Sequence, residues 1–118
     1  GTTAIEMARA GADLKGVASF HGGLDSPTPE DGKNIKAKVI VFHGANDSFV
    51  SAENLAKFEE EMKISGADWQ LIKYGGAVHS FTVKEAGNNP SKGMAYNEDA
   101  DRRSWQTLAN FLREVFKK

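Results

Sequence analysis

The sequence predicts a three-layer α/β fold in which about three parallel strands are flanked by helices. Three short apolar segments predict the strands, near residues 16–20, 38–43 and 69–74. Helical patterns alternate with these segments, and this alternation is typical of parallel strands joined by right-handed crossovers. The central segment, "VIVF", is apolar at every position, which indicates a strand covered on both faces.

The first part of the chain predicts a helix, a strand and a loop. In "GTTAIEMARAG", Thr2 or Thr3 can cap a short helix that ends at Gly11. The strand in "LKGVASFHGG" stops at the glycine pair Gly22 and Gly23. The prolines, acidic residues and glycine of residues 24–36 predict a loop exposed to water.

The rest of the chain predicts two longer helices and a second loop. Ser51 can cap a helix that carries apolar residues at helical spacing and ends at Gly66. Residues 84–97 are rich in glycine, asparagine and serine, which predicts a long irregular loop. A wide apolar face marks the last helix, and its members are Trp105, Leu108, Phe111, Leu112, Val115 and Phe116.

Composition excludes several classes of protein. The 118 residues suffice for one domain, and the net charge of −1 with a pI near 6.3 predicts no nucleic-acid or membrane partner. No apolar run approaches the roughly 20 residues that a bilayer requires, and no basic segment at the start marks a signal peptide. The chain has no cysteine, so disulfides and thiolate metal sites are excluded within it. These features fit a cytoplasmic location.

Chemically active side chains follow the predicted strands. His21, His43 and His79 each lie at or just beyond a strand end, and Asp47 follows the second strand. Because ligands bind beyond the carboxyl ends of parallel strands, these residues should meet at one edge of the sheet. A carboxylate that holds an imidazole in one tautomer is a common catalytic arrangement. We therefore predict that Asp47 and His79 form a hydrogen-bonded acid–base pair.

Simpler interpretations compete with a catalytic one. His43 is expected to be structural, with its imidazole bonded to nearby backbone, and His21 has a similar structural interpretation. A metal site built from His21, His43, His79 and Asp47 is disfavoured, because no tight ligand spacing such as HExxH is present. The paired glycines lack the spacing of a phosphate loop and are better explained as strand terminators. No metal and no cofactor are predicted.

Four segments carry a resemblance to a known family: "GADLKGVASFHGGL", "KAKVIVFHGANDSFV", "YGGAVHSFT" and "AYNEDADRRSWQTLANFL". Together they resemble the C-terminal half of the dienelactone hydrolase family. The resemblance implies part of an α/β-hydrolase fold and cleavage of small esters or lactones by a Cys-His-Asp triad without metal or organic cofactor. It also implies that Asp47 is the triad acid and His79 the triad base.

The chain departs from the family at its start. The family nucleophile sits on an elbow resembling G-x-C-x-G-G, and Gly1 resembles the last glycine of that elbow. We therefore expect residues 1–118 to form a single domain that begins just after the nucleophile and is inactive alone. Serine substitutes are Ser19, Ser48 and Ser80, but none lies on a predicted strand-to-helix elbow.

An alternative function is a non-catalytic α/β module for binding or oligomerisation. The strand at residues 16–20 would form an open edge of the sheet, and such an edge pairs readily with another chain. Ile5, Met7, Val17 and Phe20 are expected to be partly exposed near it. We therefore expect a homodimer in which two copies of this strand pair around a two-fold axis.

Overall fold

A computed structural model of the chain describes residues 1–26 and 29–117. It confirms three parallel strands with helices on both sides, in the order β1-β2-β3 within the sheet. The strands are β1 (Gly16–Phe20), β2 (Lys38–Gly44) and β3 (Trp69–Tyr74). The helices are α1 (Thr2–Arg9), α2 (Ala52–Ser65) and α3 (Glu98–Val115). No helix in the described part of the chain is both long and apolar enough to cross a membrane.

Alternating side chains of β2 divide the core into two layers. Val39 and Val41 face a cluster that includes side chains of α1 and α2. Ile40 and Phe42 face a second cluster, which includes side chains of α3. Because every residue of β2 after Lys38 is buried, its continuous apolar run is explained by cover on both faces.

The register of the sheet brings the strand ends together. Phe20 of β1 is paired with Phe42 of β2, and Phe42 is paired with Ile72 of β3. The residues that follow the three strands therefore emerge at a common edge. This edge is where ligands bind in open α/β sheets.

Helix ends agree with the sequence at α2 and differ at α1. The Ser51 side chain accepts a hydrogen bond from the Asn54 N–H at 3.0 Å, and Gly66 ends α2 with φ 76°, in the left-handed region. The prediction that Thr2 or Thr3 caps α1 is wrong, because the cap residue is Gly1. Thr2 Oγ1 instead accepts a hydrogen bond from the Gly23 N–H at 2.8 Å and links α1 to the end of β1.

The expected exposure near β1 is wrong for two of the four residues. Ile5 is only 1% exposed and Val17 only 5%, because α1 itself packs over this face of the sheet. Met7 is exposed, and Phe20 is half-buried with its ring stacked on Phe42. The open edge of β1 therefore carries less apolar surface than the sequence predicted.

Both predicted loops contain short 3₁₀ helices. One spans Pro29–Asn34 in the first loop, whose residues Pro27 and Thr28 lie outside the described residues. The second loop contains Lys84–Ala86 and Pro90–Lys92. The second loop is thus more ordered than its composition indicates, and its backbone contacts the segment that carries His79.

Candidate active site

The turn after β2 fixes the carboxylate of Asp47. Its backbone N–H donates to the Gly44 carbonyl at 3.0 Å, and its Oδ1 accepts a hydrogen bond from the Phe49 N–H at 2.9 Å. The side chain is fully buried, so the carboxylate depends on protein donors such as the Phe49 N–H rather than on water. The bond to Oδ1 fixes the orientation of the carboxylate, and the other oxygen, Oδ2, is left to contact a second group.

Gly44 allows the loop after β3 to approach the end of β2 closely. A Cβ atom at this position would lie 2.7 Å from the carbonyl oxygens of both Ala77 and Val78. Such a distance is well inside van der Waals contact, so only glycine fits without displacement of the backbone. This close approach places the His79 segment directly against the turn that holds Asp47.

His79 is held by backbone contacts on both sides. Its N–H donates to the Gly93 carbonyl at 3.3 Å, and its carbonyl accepts from the Ala95 N–H at 3.1 Å. The next residue, Ser80, has φ 63°, a left-handed conformation that is rare for residues other than glycine. Residues in such conformations cluster at functional sites, where the surrounding structure maintains the strain.

The structure confirms that Asp47 and His79 lie within hydrogen-bond distance. His79 Nδ1 is 3.0 Å from Asp47 Oδ2. The His79 side chain is 27% exposed, whereas the Asp47 side chain is completely buried. A carboxylate at Nδ1 favours the tautomer that carries its proton there. In that tautomer Nε2 has a free lone pair and can accept a proton from another group.

His21 reaches the same edge but has a different partner. Its Nε2 lies 2.8 Å from Thr82 Oγ1, and its ring centroid is 5.6 Å from that of His79. Its φ of 40° is again unusual for a residue with a side chain. Burial, together with the nearby imidazole of His79, lowers the pKa of His21. His21 is therefore disfavoured as a cation next to His79.

No contact between His43 and the Asp47–His79 pair is among the hydrogen bonds and ring contacts of the described residues. His43 has the same parity along β2 as Val39 and Val41, so it lies on the α1–α2 side of the sheet. Burial lowers its pKa. The sequence predicts that the His43 imidazole forms a hydrogen bond with nearby backbone. Nδ1 forms no such bond, because it is buried and has no hydrogen-bond partner within the described part of the chain. The His43 side chain is 3% exposed and so is buried in the protein.

The geometry of the described residues gives little support to a metal site or to a serine nucleophile. Within residues 1–26 and 29–117, no three histidine, aspartate or glutamate side chains are arranged to hold a metal ion. Ser19 is completely buried, and Ser80 is nearly so, whereas Ser48 is exposed. Ser19 Oγ is buried and has no hydrogen-bond partner within the described residues, so it is not bonded to the His79 ring.

The start of α1 lies against the end of β1. A Cβ atom on Gly22 would lie 2.6 Å from both the Gly1 carbonyl carbon and the Thr2 nitrogen. Gly1 in turn lies close to Ser19, because a Cβ atom on Gly1 would be 2.5 Å from Ser19 Oγ. Two glycines without side chains thus allow a helix to begin at the strand edge where His21 also emerges.

Sequence reasoning did not identify Gly44 and Phe49 as site residues. Gly44 provides the close approach, and the Phe49 N–H holds the carboxylate of Asp47. A glycine at the end of a buried strand is a signal for close backbone contact, so Gly44 could have been recognised. Phe49 had no comparable signal, because its contribution to Asp47 comes from a backbone group.

Comparisons with known proteins agree with this fold. A family model for the dienelactone hydrolase family matches residues 1–116. An uncharacterized protein from Caenorhabditis elegans is 35% identical over 121 residues, and the match covers 98% of this chain and 75% of that protein.

Solved structures show the same similarity. The dienelactone hydrolase-like promiscuous phosphotriesterase from metagenomic libraries is 38% identical, with a TM-score of 0.89 over 97% of this chain. The protein m3DLH is 40% identical, with a TM-score of 0.91 over 98% of this chain. The chain spans 48% of the length of each of these two structures. A putative dienelactone hydrolase from Klebsiella pneumoniae, at 18% identity and a TM-score of 0.74, supports the fold alone. The chain belongs to the dienelactone hydrolase family.

Proposed function

We propose that this chain supplies the acid and base of an ester or lactone hydrolase of the dienelactone hydrolase type. The observation that supports the proposal most strongly is the 3.0 Å contact between His79 Nδ1 and Asp47 Oδ2. A buried carboxylate bonded to a partly exposed imidazole is the arrangement expected of the acid and base of a catalytic triad. Asp47 is the orienting acid in this proposal, and His79 is the base.

In the proposed reaction, Nε2 of His79 transfers protons. It accepts the proton of a cysteine thiol, and the thiolate attacks the carbonyl carbon of the ester or lactone. Nε2 then returns the proton to the alkoxide as its bond to the carbonyl carbon breaks. The alkoxide becomes a free alcohol from an ester, or a hydroxyl group on the acyl chain from a lactone, and an acyl-enzyme remains. Water attacks the acyl-enzyme while the same nitrogen takes its proton, and that proton passes to the cysteine sulfur as the acid leaves. Asp47 stabilises the imidazolium that forms at each step.

The nucleophile in this proposal comes from outside residues 1–118. The family resemblance places it on an elbow immediately before a helix such as α1. Support comes from the contact between Gly1 and Gly22, because it places the start of α1 at the edge where His79 lies. The inward position of Ser19 and the burial of Ser80 argue against either serine as the nucleophile.

A chimera tests the proposal. The part of m3DLH that this chain does not match is joined ahead of Gly1, and hydrolysis of p-nitrophenyl acetate is measured. The chimera should turn over the ester, and its His79→Ala variant should be slower by about 10²–10⁴, the contribution of a positioned general base. A folded chimera whose rate does not change in the variant would exclude His79 as the base.

The chain without this addition is the natural control for the chimera. We expect it to hydrolyse p-nitrophenyl acetate no faster than its own His79→Ala variant or free imidazole, because binding alone contributes little without a nucleophile. A rate well above both controls would mean that a group inside residues 1–118 attacks the ester or activates water.

We also propose a homodimer through β1, which would suit the alternative function as an oligomerising module. In the described sheet, β1 pairs with β2 on one side and has an open edge on the other. The His21 N–H donates to Phe42, so strand alternation directs the Ala18 N–H toward the open edge. Two such edges paired antiparallel would form one sheet of six strands.

Light scattering of the chain at tens of micromolar tests this dimer. The measured mass should be that of two chains, and Ala18→Pro should lower it because proline removes an outward donor. A monomer mass with cooperative unfolding would exclude the dimer.

A further inference from the structure

Residues 93–97 run alongside the segment that carries the proposed base. His79 pairs with Met94 in an isolated parallel bridge. The His79 N–H donates to the Gly93 carbonyl at 3.3 Å, and the His79 carbonyl accepts from the Ala95 N–H at 3.1 Å. Both backbone polar groups of His79 are therefore bonded to residues 93–97, which we call the bridging segment.

The bridging segment ends at the start of α3. The Asn97 N–H donates to the Phe81 carbonyl at 3.0 Å, and Asn97 Oδ1 caps α3 by accepting from the Ala100 N–H at 3.0 Å. Ala100 and Phe111 of α3 are buried in the core cluster that also contains side chains of β2. The end of the bridging segment is therefore attached to a helix that packs on the sheet.

The side chain of Tyr96 makes a second link between the bridging segment and α3. Its hydroxyl donates to Asp101 Oδ2 at 2.7 Å, and its N–H donates to the Gly87 carbonyl at 2.6 Å. The bond to the Asp101 carboxylate raises the pKa of Tyr96, so the hydroxyl keeps its proton and donates at neutral pH. A hydrogen bond to a charged group is stronger than one between neutral groups, so this link resists opening.

The position of Tyr96 connects this link to the proposed base. Tyr96 lies between Ala95 and Asn97, whose N–H groups donate to the carbonyls of His79 and Phe81. A movement of Tyr96 away from α3 would therefore displace both donors. The backbone that carries the imidazole would move with them, because its own hydrogen bonds join it to the bridging segment.

We infer that Tyr96 is a positioning residue, which through Asp101 holds the bridging segment in place and thereby keeps the imidazole of His79 against Asp47. The effect on the reaction rests on the proposed function, whereas the effect on the ring does not. Tyr96 acts through the backbone of His79 rather than on the reacting atoms. A displacement of about 1 Å in a catalytic group can lower a rate by about 10², so a distant hydroxyl can influence the base.

NMR of the 118-residue chain tests this inference with Tyr96→Phe, which removes the hydroxyl and keeps the ring. Nitrogen-15 signals of the neutral His79 ring should show its proton on Nδ1 in the original chain and a mixture of both tautomers in the variant. The Ala95 amide hydrogen should exchange at least about tenfold faster, because a hydrogen bond to a charged group no longer opposes local opening.

Two further variants separate the Tyr96–Asp101 link from a general loss of hydrogen bonds. Ser91→Ala is the matched control, because the Ser91 hydroxyl also donates a hydrogen bond at 2.6 Å in the same loop, but to its neighbour Asn89. This variant should leave the His79 ring unchanged. Asp101→Ala should reproduce the effect of Tyr96→Phe, and the double variant should show no more than either single change.

Kinetics of the chimera with m3DLH measure the consequence for the reaction. Tyr96→Phe should lower kcat by about tenfold and leave KM within about twofold, because a displaced imidazole impairs proton transfer more than substrate binding. Ser91→Ala should leave both constants unchanged.

A folded Tyr96→Phe chain that keeps the original tautomer of His79 would overturn the inference. This holds even if Ala95 exchanges faster, because Tyr96 would then stabilise the loop without positioning the ring. Full additivity of Tyr96→Phe and Asp101→Ala would also overturn it.

Because the NMR measurements require no turnover, they separate this inference from the proposed function. An inactive chimera, together with a changed His79 ring in the Tyr96→Phe chain, would refute the acid–base role and support the link through Tyr96. An active chimera in which Tyr96→Phe keeps the original kcat would refute the positioning role alone.

Discussion

Two hydrogen-bonded pairs of side chains in this chain, Arg9–Glu61 and Asp47–His79, differ in their exposure to solvent. Arg9 and Glu61 are joined by bonds of 2.7 and 2.8 Å, and their side chains are only 2% and 3% exposed. Asp47 and His79 are joined at 3.0 Å, but the imidazole is 27% exposed. The first pair is sealed between α1 and α2, whereas the second lies at the edge where the strands end.

The two pairs also differ in how many of their polar atoms already have a hydrogen-bond partner. Arg9 also donates to Glu6 and to the backbone carbonyls of Leu24 and Asp25, so its guanidinium is surrounded by acceptors. For His79, the carboxylate of Asp47 satisfies Nδ1, and Nε2 is free to react. We therefore expect the Arg9–Glu61 pair to contribute mainly to stability. We expect the Asp47–His79 pair, with Nε2 still available, to contribute mainly to catalysis.

The largest expected effect is on catalysis. Asp47→Asn in the chimera with m3DLH should lower kcat by about 10³–10⁴, because an amide no longer fixes the tautomer of the imidazole. The free energy of unfolding should change little, since the amide oxygen can still accept the bond from Phe49. Steady-state kinetics and urea unfolding of the same variant measure both quantities. If Asp47→Asn is stable and its kcat is unchanged, Asp47 has no catalytic role.

The opposite pattern is expected for Glu61→Gln. Removal of one partner from a buried pair leaves an uncompensated charge, and the unfolding free energy should fall by about 3 kcal/mol. Glu60→Gln is the matched control, because Glu60 is exposed on the same helix and should change stability by less than about 0.5 kcal/mol. Urea unfolding followed by circular dichroism measures both variants. Equal effects at the two positions would show that the sealed pair has no special structural role.

A smaller effect is expected where the backbone of the His79 loop meets β2. Gly44→Ala should destabilise the chain by about 1–3 kcal/mol, because its Cβ must displace the carbonyls of Ala77 and Val78. The displacement should also shift the NMR signals of His79. Gly75→Ala is the matched control, as a Cβ atom there meets nothing within 4 Å. If both variants behave alike, the close approach does not hold the loop in place.

The smallest effect is the pH dependence of stability. Burial lowers the pKa of His43 and of His21 below the ordinary value of 6.5, so the unfolded chain binds protons more readily than the folded one. Their contribution to stability is complete above about pH 6.5 and is lost as the pH falls below it. Tm should thus be lower at pH 5 than at pH 7.5, and His43→Gln should reduce the difference. An unchanged difference in that variant would exclude His43 as a cause.

Much of the fold was predictable because the signals are local. The continuous apolar run of β2 indicates cover on both faces, and Ser51 and Gly66 mark the ends of α2. The meeting of Asp47 and His79 was also predictable, since parallel strands end at one edge. Their catalytic roles remain a prediction.

Other features depend on tertiary contacts that no local pattern encodes. Ile5 and Val17 are buried because α1 packs on the sheet, and no local pattern predicts that packing, so the predicted exposure was wrong for both. The hydrogen bond from the Phe49 backbone to Asp47 likewise has no sequence signal. The face of the sheet on which His43 lies could have been predicted from the sequence, because His43 and Val41 are two residues apart along β2.

The most direct test of the central claim is the tautomer of His79, measured by nitrogen-15 NMR of the ring at a pH where it is neutral. If Asp47 orients the imidazole, the proton resides on Nδ1, and Nε2 shows the signal of an unprotonated nitrogen. Asp47→Asn should disturb this preference, whereas Glu61→Gln should preserve it in the folded chain. A proton found on Nε2 in the original chain would contradict the account, because the nitrogen proposed to accept the proton would already carry one.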